Sequence, residues 1–374
     1  MSPETEILNA QYLTIKVGSS LLINPKTKLV NSSWVKTLVE DIVALRKKNI
    51  KVIIVTSGAV AMGLSQLSLK GKPAQLEQAQ AAAAIGQVQL LEAYKNPFNA
   101  NKIEISQLLL TLEDLENRSR YINARNTLEV LLENNIIPII NENDTVATSE
   151  LRFGDNDCLA AKVAQMSGSE SLILLSDIDG FYSEDPKINS KAQFFKEIDV
   201  ITSEMEKMAG PPTVSGYGSG GMATKLKAAK IASSGGCSTI IMNGHKDHPI
   251  KRILNGEKAT IFKTSSDNLS VRKSWIRGLL SLKGKIYIDL GAINALKGGA
   301  SLLAAGITKS TGDFPRGDLV GIFDQSGVKL GQGLIAYNSI ETGQICGRKS
   351  YEIIDILGYA CRSAVIHRND LVLI

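Results

Sequence analysis

Six short apolar runs, separated by helical patterns, constrain the fold of this 374-residue chain more than any other feature. The runs are rich in Val, Ile and Leu and are bounded by turn residues, which is typical of strands covered on both faces. They read YLTIKV, IKVIIV, IEISQLLL, IIPII, SLILL and STIIM. Strands and helices in alternation predict an α/β fold, a three-layer αβα sandwich around a mainly parallel sheet.

Apolar residues at helical spacing fill the gaps between these runs. The first such helix is predicted to begin after Ser32 and Ser33, because serine favours the N-cap position. The same spacing predicts helices over residues 76–93, 121–134 and 156–167.

The pattern changes after about residue 263. Residues 264–281 indicate a linker or a short helix, and short strand candidates separated by glycines follow. The candidates are KIYIDLG, LVGIFD, GVKLGQGLIAYN, YEIID and DLVLI. This spacing is typical of a small, β-rich, barrel-like module. We therefore predict a larger domain over residues 1–263, a linker over 264–281 and a second domain over 282–374.

The composition and charge exclude some classes of protein. Apolar residues at 44% and charged residues at 21% exclude a disordered chain, and aromatic residues at 5% argue against a protein built mainly on stacking with bases. The net charge of +5 equals the basic excess between Lys263 and Lys285. A solvated connector is the favoured interpretation of this segment, and a nucleic-acid patch is the alternative.

The sequence also predicts a compartment. The cysteines are Cys158, Cys237, Cys346 and Cys361. They lack C-x-x-C pairing, which indicates reduced thiols in a cytosolic protein. His245 and His248 have no further Cys or His nearby, so we predict no metal site. The first residues lack signal-peptide character and no apolar run is long enough to span a bilayer, so we expect a cytoplasmic protein without a membrane segment.

Polar residues follow the predicted strands, at the sheet edge where open α/β folds bind ligands. Lys16 lies inside the first apolar run, where an ammonium group needs an anionic partner or must extend to water. Gly58 serves either a strand-to-helix turn or a ligand. Asn143, Asp144 and residues 155–157 are either helix caps or members of a site.

Residues 215–225, SGYGSGGMATK, have the composition of a phosphate-binding loop. Glycines let backbone N–H groups approach phosphate oxygens, and the run that follows is helical in pattern. The loop does not match the Walker pattern, and its G-x-G-x-x-G match is weak because no strand precedes it. Asp177, directly after the SLILLS run, is either a turn cap or a group that faces a nucleotide.

Two lysines, several carboxylates and glycine loops suit phosphoryl transfer, in which a protein mainly positions groups and neutralises charge. If the acceptor is a carboxylate, no general base is required, because a carboxyl with a pKa near ~4.3 is already ionised at neutral pH. Two lysines then stabilise the moving negative charge, and a carboxylate between them holds both in place.

Seven motifs in a fixed order resemble the amino acid kinase family, and in particular its glutamate-phosphorylating members. They are IKVGSS, VTSGAVAMG, QAAAAIGQ, NENDTV, FGDND, LLSDIDGFY and GSGGMATK. The resemblance runs almost continuously through the first predicted domain, and the remainder resembles the PUA domain appended in many members. FGDND and the PUA-like tail distinguish the chain from acetylglutamate, aspartate and carbamate kinases.

The resemblance implies ATP-dependent phosphorylation of the L-glutamate γ-carboxylate to L-glutamyl 5-phosphate, the first step of proline biosynthesis. It implies that Lys16 and Lys225 stabilise the transferring phosphoryl group, with Asp157 organising the two lysines. Glutamate would be bound by Ser57, Asp144 and Asn156, with Asp144 near the α-amino group. The implied ATP-binding residues are Lys16, Ser176, Asp177, Ser219, Gly220, Gly221, Met222, Ala223, Thr224 and Lys225.

The resemblance also implies cofactors and partners. The family uses Mg²⁺ with ATP, and no protein ligand for the metal can be assigned from this sequence. Members assemble as dimers or tetramers and are inhibited by proline. PUA-like modules bind RNA in modification enzymes, so an RNA-binding regulator is the rival function. Residues 282–374 contain ten Lys or Arg against eight Asp or Glu, a near-neutral balance that favours a structural or oligomer-adjusting role for the tail.

Overall fold

The computed structural model describes residues 2–24, 29–67, 75–146, 156–210, 221–264, 282–359 and 364–374. The chain divides into two compact units, residues 1–116 with 124–268, and residues 117–123 with 269–374. The predicted domain boundaries stay predictions, because residues 265–281 lie outside the described part of the chain. None of the described helices combines the length and apolar character needed to cross a membrane.

The described residues of the first unit form ten strands. They are β1 (Tyr12–Val17), β2 (Lys51–Val55), β3 (Ile105–Leu110), β4 (Ile137–Glu142), β5 (Ser171–Ser176), β6 (Phe181–Tyr182), β7 (Phe194–Phe195), β8 (Glu197–Ile198), β9 (Ser238–Asn243) and β10 (Ala259–Phe262). Eight form one sheet in the order β3-β4-β2-β1-β5-β9-β10-β8, and β6 pairs with β7. Every neighbouring pair of the large sheet is parallel except β9 and β10. The prediction of a mainly parallel sheet is confirmed.

Helices connect these strands. They are α1 (Pro3–Asn9), α2 (Ser19–Leu22), α3 (Ser32–Arg46), α4 (Ala59–Leu64), α5 (Leu76–Ala100), α6 (Leu112–Glu116), α7 (Arg118–Glu133), α8 (Asn156–Ser167), α9 (Ser203–Met208), α10 (Met222–Ser234) and α11 (Pro249–Leu254). The predicted helices all form. One detail is wrong: α3 begins at Ser32 and its N-cap is Asn31, another residue type that suits this position.

Strand β1 shows how its two faces are used. Leu13, Ile15 and Val17 belong to the hydrophobic core that also contains the apolar residues of α3. The alternate residues face α8 and its C-terminal turn, because Thr14 Oγ1 lies 2.8 Å from Ser169 Oγ and Lys16 contacts a side chain of α8. The alternation of side chains along a strand therefore places Lys16 on the α8 side of the sheet.

The second unit is built mainly from strands. They are β11 (Gly284–Ile288), β12 (Leu302–Leu303), β13 (Ile307–Gly312), β14 (Leu319–Phe323), β15 (Lys329–Leu334), β16 (Ala364–Ile366) and β17 (Leu371–Leu373). Five form a sheet in the order β13-β11-β14-β15-β17, and β12 pairs with β16. In the described part of this unit three α-helices accompany them, Leu290–Lys297, Ser339–Ile345 and Ile353–Leu357, with 3-10 turns at Ala304–Gly306 and Arg368–Asp370. The prediction of a small β-rich domain is confirmed.

The strand predicted for YEIID is wrong, because helix Ile353–Leu357 occupies this position. A short apolar run fits a helical turn as well as a strand. Gly358 decides between them, since it adopts a left-handed conformation with φ 74° and its N–H caps the carbonyl of Ile354.

Candidate active site

The carboxyl ends of β4, β2, β1 and β5 meet at one edge of the large sheet, since these strands are adjacent and parallel. Lys16 is the penultimate residue of β1 and pairs in register with Val55 of β2 and Leu174 of β5. This edge is where an open α/β sheet accepts ligands. Five of the predicted site residues that the structure describes lie at or just beyond these strand ends: Lys16, Ser57, Asp144, Ser176 and Asp177. The other seven lie at the N-termini of α8 and α10.

A buried group of two lysines and one aspartate lies at this edge. The Lys16 ammonium is 2.6 Å from Asp157 Oδ1, and the Lys225 ammonium is 3.1 Å from Asp157 Oδ2. The exposed fractions of the three residues are 8%, 1% and 5% for Lys16, Asp157 and Lys225. The structure thus brings together three residues that are 209 positions apart in sequence at the extremes, with a separate carboxylate oxygen for each lysine.

The electrostatics of this Lys–Asp–Lys group favour an anionic ligand. Burial by itself raises the pKa of Asp157, but the charges and hydrogen bonds of Lys16 and Lys225 outweigh it and hold that pKa well below its usual range. The carboxylate is therefore ionised at all physiological pH values. Two ammonium groups and one carboxylate give these three residues a net charge of +1, which attracts anions.

Local structure fixes the position of each member. Asp157 lies in the first turn of α8, where the positive end of the helix also favours a carboxylate. Lys225 lies in the first turn of α10, whose N-cap is Gly221 and whose Thr224 hydroxyl donates to the Gly221 carbonyl at 2.8 Å. Gly221, Met222 and Ala223 are described with it. Ser219 and Gly220 lie outside the described residues.

Asn156 lies next to Asp157 and belongs to a chain of buried amides. Its Nδ2 donates to the Thr56 carbonyl at 2.6 Å and to Asn141 Oδ1 at 2.9 Å. Asn141 Nδ2 donates in turn to Gln87 Oε1 at 2.8 Å. Neither Asn141 nor Gln87 is predicted from sequence as a site residue. Both residues lie in motifs quoted above, Asn141 at the start of NENDTV and Gln87 at the end of QAAAAIGQ, and these motifs were the available signal.

Two further predicted site residues are close in sequence to members of this amide chain: Ser57 follows Thr56, and Asp144 lies three residues after Asn141. The Ser57 hydroxyl donates to the Val17 carbonyl at 2.9 Å, which ties the end of β2 to the end of β1. Gly58 follows with φ 101° as the N-cap of α4, so its strand-to-helix role is seen in the structure. Asp144 is half-buried just beyond β4, and burial raises its pKa to about 6. A cation placed beside it would restore the charged form.

Ser176 and Asp177 form a second polar group at the end of β5. The Ser176 hydroxyl donates to Asp177 Oδ1 at 3.1 Å, and the Lys187 ammonium lies 3.4 Å from Asp177 Oδ2. The Asp177 carbonyl accepts from Asn243 Nδ2 at 3.2 Å. Burial acts to raise the pKa of Asp177, but Lys187 and the Ser176 hydroxyl lower it below its ordinary value.

Both parts of the chain are similar to known protein families. Residues 11–243 match the amino acid kinase family, and residues 284–357 match the PUA domain. A glutamate 5-kinase of Paramagnetospirillum magneticum is 49% identical, covering 100% of both chains. One from Rhizobium rhizogenes is 48% identical over 96% of this chain and 92% of its own. A crystal structure of UMP kinase from Ureaplasma parvum aligns with 68% of this chain and 99% of its own, at 19% identity and a TM-score of 0.48.

Proposed function

The chain belongs to the amino acid kinase family, and on that basis we propose that it transfers the γ-phosphoryl group of ATP to the γ-carboxylate of L-glutamate. The products are L-glutamyl 5-phosphate and ADP, and the reaction opens proline biosynthesis. Relatives named glutamate 5-kinase, which match over nearly their full length, support the assignment. The buried Lys16–Asp157–Lys225 group is the structural observation that carries it.

The reaction needs little covalent help from the protein. A γ-carboxylate oxygen attacks the γ-phosphorus, the new O–P bond forms, and the bond to the bridging oxygen breaks with its electron pair remaining on ADP. The attacking carboxylate carries no proton at neutral pH, since its ordinary pKa is about 4.3. The protein therefore contributes mainly positioning and stabilisation of moving charge.

The Lys–Asp–Lys group supplies that stabilisation. We assign Lys16 and Lys225 to the transferring phosphoryl group and the leaving diphosphate, and Asp157 to holding both ammonium groups in place. The positive charge in excess matches the negative charge that spreads over the phosphoryl oxygens in the transition state. Because the three residues are already in contact, the arrangement requires little reorganisation when substrates bind.

The two polar groups at the neighbouring strand ends suit the two substrates. We assign Asp144, Ser57 and Asn156 to glutamate, with the Asp144 carboxylate facing the α-ammonium group. We assign Ser176, Asp177 and the first turn of α10 to ATP. Free N–H groups at a helix N-terminus favour phosphate, which supports this role for α10. The proposed contributions of Ser219 and Gly220 lie outside the described residues.

Mg²⁺ is part of the proposal as the counter-ion of ATP. Within the described residues no cluster of three or more His, Cys, Asp or Glu side chains is arranged to hold a metal. Asp157 has each of its oxygens directed at a lysine. These side chains do not form a protein site for the ion, so we assign it to phosphate oxygens and water, and no step above depends on a protein ligand.

An ADP-release assay with competing acceptors tests the function. We expect ATP- and glutamate-dependent ADP release, with far lower rates for aspartate and N-acetylglutamate at equal concentration. Trapping the acyl phosphate with hydroxylamine identifies the product as a γ-glutamyl derivative. Equal rates with aspartate or N-acetylglutamate, or no rate with glutamate, would remove the assignment.

RNA binding by the PUA domain is a second candidate function, and one surface favours it. The side chains of Lys309, Tyr287, Phe323 and Lys329 lie in register across β13, β11, β14 and β15, and we call them the aromatic–lysine row. The two ring centroids are 5.7 Å apart, and Lys285 lies over the Phe323 ring at 5.4 Å. Partly exposed aromatic rings flanked by lysines can stack bases and contact phosphates.

Three further properties remain predictions of the family membership. A dimeric or tetrameric assembly is tested by light scattering, and inhibition by proline by its effect on glutamate-dependent ADP release. A cytoplasmic location is tested by fractionation of the host cell.

A further inference from the structure

The amide chain beside Asp157 has a fixed direction. Asn156 Nδ2 contacts both the Thr56 carbonyl and Asn141 Oδ1, and Asn141 Nδ2 contacts Gln87 Oε1. The oxygen and nitrogen of an amide are hard to tell apart by shape, so such assignments need an unambiguous partner. A backbone carbonyl can only accept, so Thr56 fixes the orientation of Asn156 and, through it, that of Asn141 and Gln87.

With the amide in this orientation, the Oδ1 atom of Asn156 is available to accept a hydrogen bond from a ligand. Its two N–H bonds are directed at Thr56 and Asn141, and within the described part of the chain its buried Oδ1 has no hydrogen-bond partner. An unpaired buried acceptor is unfavourable, so it marks a place for a donor. An amino-acid substrate carries carboxylates, which accept, and an ammonium group, which donates.

We propose that Gln87 is a positioning residue that, through Asn141, holds the Asn156 amide with its oxygen directed at the α-ammonium group of the substrate. This inference rests on the proposed function and specifies how glutamate is recognised. Without the Gln87 acceptor, the buried Asn141 N–H loses its partner and the Asn141 amide gains from turning over. A turned Asn141 presents N–H to Asn156 Nδ2, which breaks the chain at that point.

The helix that carries Gln87 is held in place by close packing. A Cβ atom on Gly86 would lie 1.9 Å from the Ala59 carbonyl oxygen of α4, so α5 approaches the backbone of α4 directly. Helix α4 begins right after residues 56–58, whose first carbonyl anchors the amide chain. Gln87 is nine-tenths buried, so hydration does not account for a polar side chain at this position. Its Nε2 has no hydrogen-bond partner among the described residues, whereas its Oε1 accepts from Asn141.

The test compares Gln87→Met, which keeps the size and loses the acceptor, with Gln87→Glu, which keeps an acceptor facing Asn141. Glutamate is compared with glutarate, which has the same two carboxylates and no ammonium group. For Gln87→Met we expect the KM for glutamate to rise about tenfold with kcat changed by less than about threefold, the size expected for one charge-assisted hydrogen bond. The apparent affinity for glutarate should change little, so the ratio of the affinity for glutamate to the affinity for glutarate should fall by about tenfold.

Gln87→Glu should recover most of the glutamate preference, because its carboxyl oxygen still accepts from Asn141. Both variants are checked for an unchanged melting temperature and for ATP binding, so that misfolding is recognised. Equal losses for glutamate and glutarate, or no loss for either, overturn the positioning role. A wild-type chain that releases no ADP with glutamate instead overturns the proposed function, so the two failures are distinguishable.

Discussion

Asp157 connects the two lysines to which we assign phosphoryl transfer, and this contact determines what each lysine variant should do. In the proposed reaction the contacts of Lys16 and Lys225 strengthen as negative charge moves in the transition state, so their loss should affect turnover more than ground-state binding. For Lys16→Ala and for Lys225→Ala we expect kcat to fall about 100-fold or more, the loss typical of removing one preorganised charge-stabilising group. Steady-state kinetics with glutamate as the varied substrate should show a KM that changes far less.

Lys230 provides a matched control for these variants. It lies on α10 as Lys225 does, but it is exposed and pairs at the surface with Glu206. Surface ion pairs contribute little, so Lys230→Ala should keep the wild-type kcat. Near-normal turnover in either Lys16→Ala or Lys225→Ala would contradict the assigned role.

Asp144 predicts a pH dependence of glutamate binding. Burial raises its pKa to about 6 in the free protein, so the carboxyl is mainly ionised above that pH and mainly protonated below it. Only the ionised form attracts the α-ammonium group of glutamate. We expect kcat/KM for glutamate to fall about tenfold per pH unit below this pKa, because kcat/KM reports groups of the free enzyme.

Asp144→Asn serves as the control for this dependence. The amide cannot ionise, so the variant should have a raised KM for glutamate, and its kcat/KM should show no acidic fall near pH 6. An acidic limb that persists unchanged in Asp144→Asn would assign the titration to another group. An unchanged KM would remove Asp144 from the glutamate site.

Helices α4 and α5 are in backbone contact, and two glycines allow it. A Cβ atom on Gly63 would lie 1.8 Å from the Ala82 carbonyl oxygen, and one on Gly86 would lie 1.9 Å from the Ala59 carbonyl oxygen. Backbone atoms cannot move aside as a flexible side chain does, so Gly63→Ala and Gly86→Ala force the helices apart. Overpacking of this kind costs about 1–3 kcal/mol or more, which a lowered thermal midpoint should reveal.

Gly343 tests whether the cost comes from contact or from the helix itself. It lies within helix Ser339–Ile345, and a Cβ atom there would meet nothing within 4 Å. Replacing a helical glycine in open space by alanine stabilises by about 0.5–1 kcal/mol. Gly343→Ala should therefore raise stability slightly, and equal destabilisation by all three substitutions would contradict the packing explanation.

Six strands of the large sheet were predicted from sequence, and five of them, β1, β2, β4, β5 and β9, are buried on both faces, which makes each an almost continuous apolar run. The short strands β8 and β10 were not predicted. The hydrogen bonds of the amide chain could not be predicted, although two of the quoted motifs contain Gln87 and Asn141. Gln87 lies in an alanine-rich helix and Asn141 at a strand end, where a polar residue is also compatible with solvent. Their contact depends on the close crossing of α4 and α5. Burial of Lys16 inside an apolar run was a stronger signal, because an ammonium group there requires a partner.

At the scale of the whole molecule, the two units offer surfaces of different chemistry. The first has a buried positive site that suits small anions. The second has the aromatic–lysine row on its five-stranded sheet, with exposed lysines and partly exposed rings. The sequence alone favours a structural role for the second unit, since its charges nearly balance. This face of the sheet differs from that average because Lys309 and Lys329 of the row, together with Lys285, lie beside the two aromatic rings.

This local gathering predicts weak, salt-dependent binding of single-stranded RNA by the full chain. Three phosphate contacts give a slope of about −2 in a plot of log affinity against log salt concentration, and stacking of a base on either ring adds affinity. Replacing Tyr287 and Phe323 together by alanine should weaken binding measured by fluorescence anisotropy without changing the slope. Lys309→Ala should reduce the slope by about 0.7, since it removes one phosphate contact. Glutamate-dependent ADP release should be the same in all these variants, and an absence of binding at low salt would leave the row as a packing feature of the sheet.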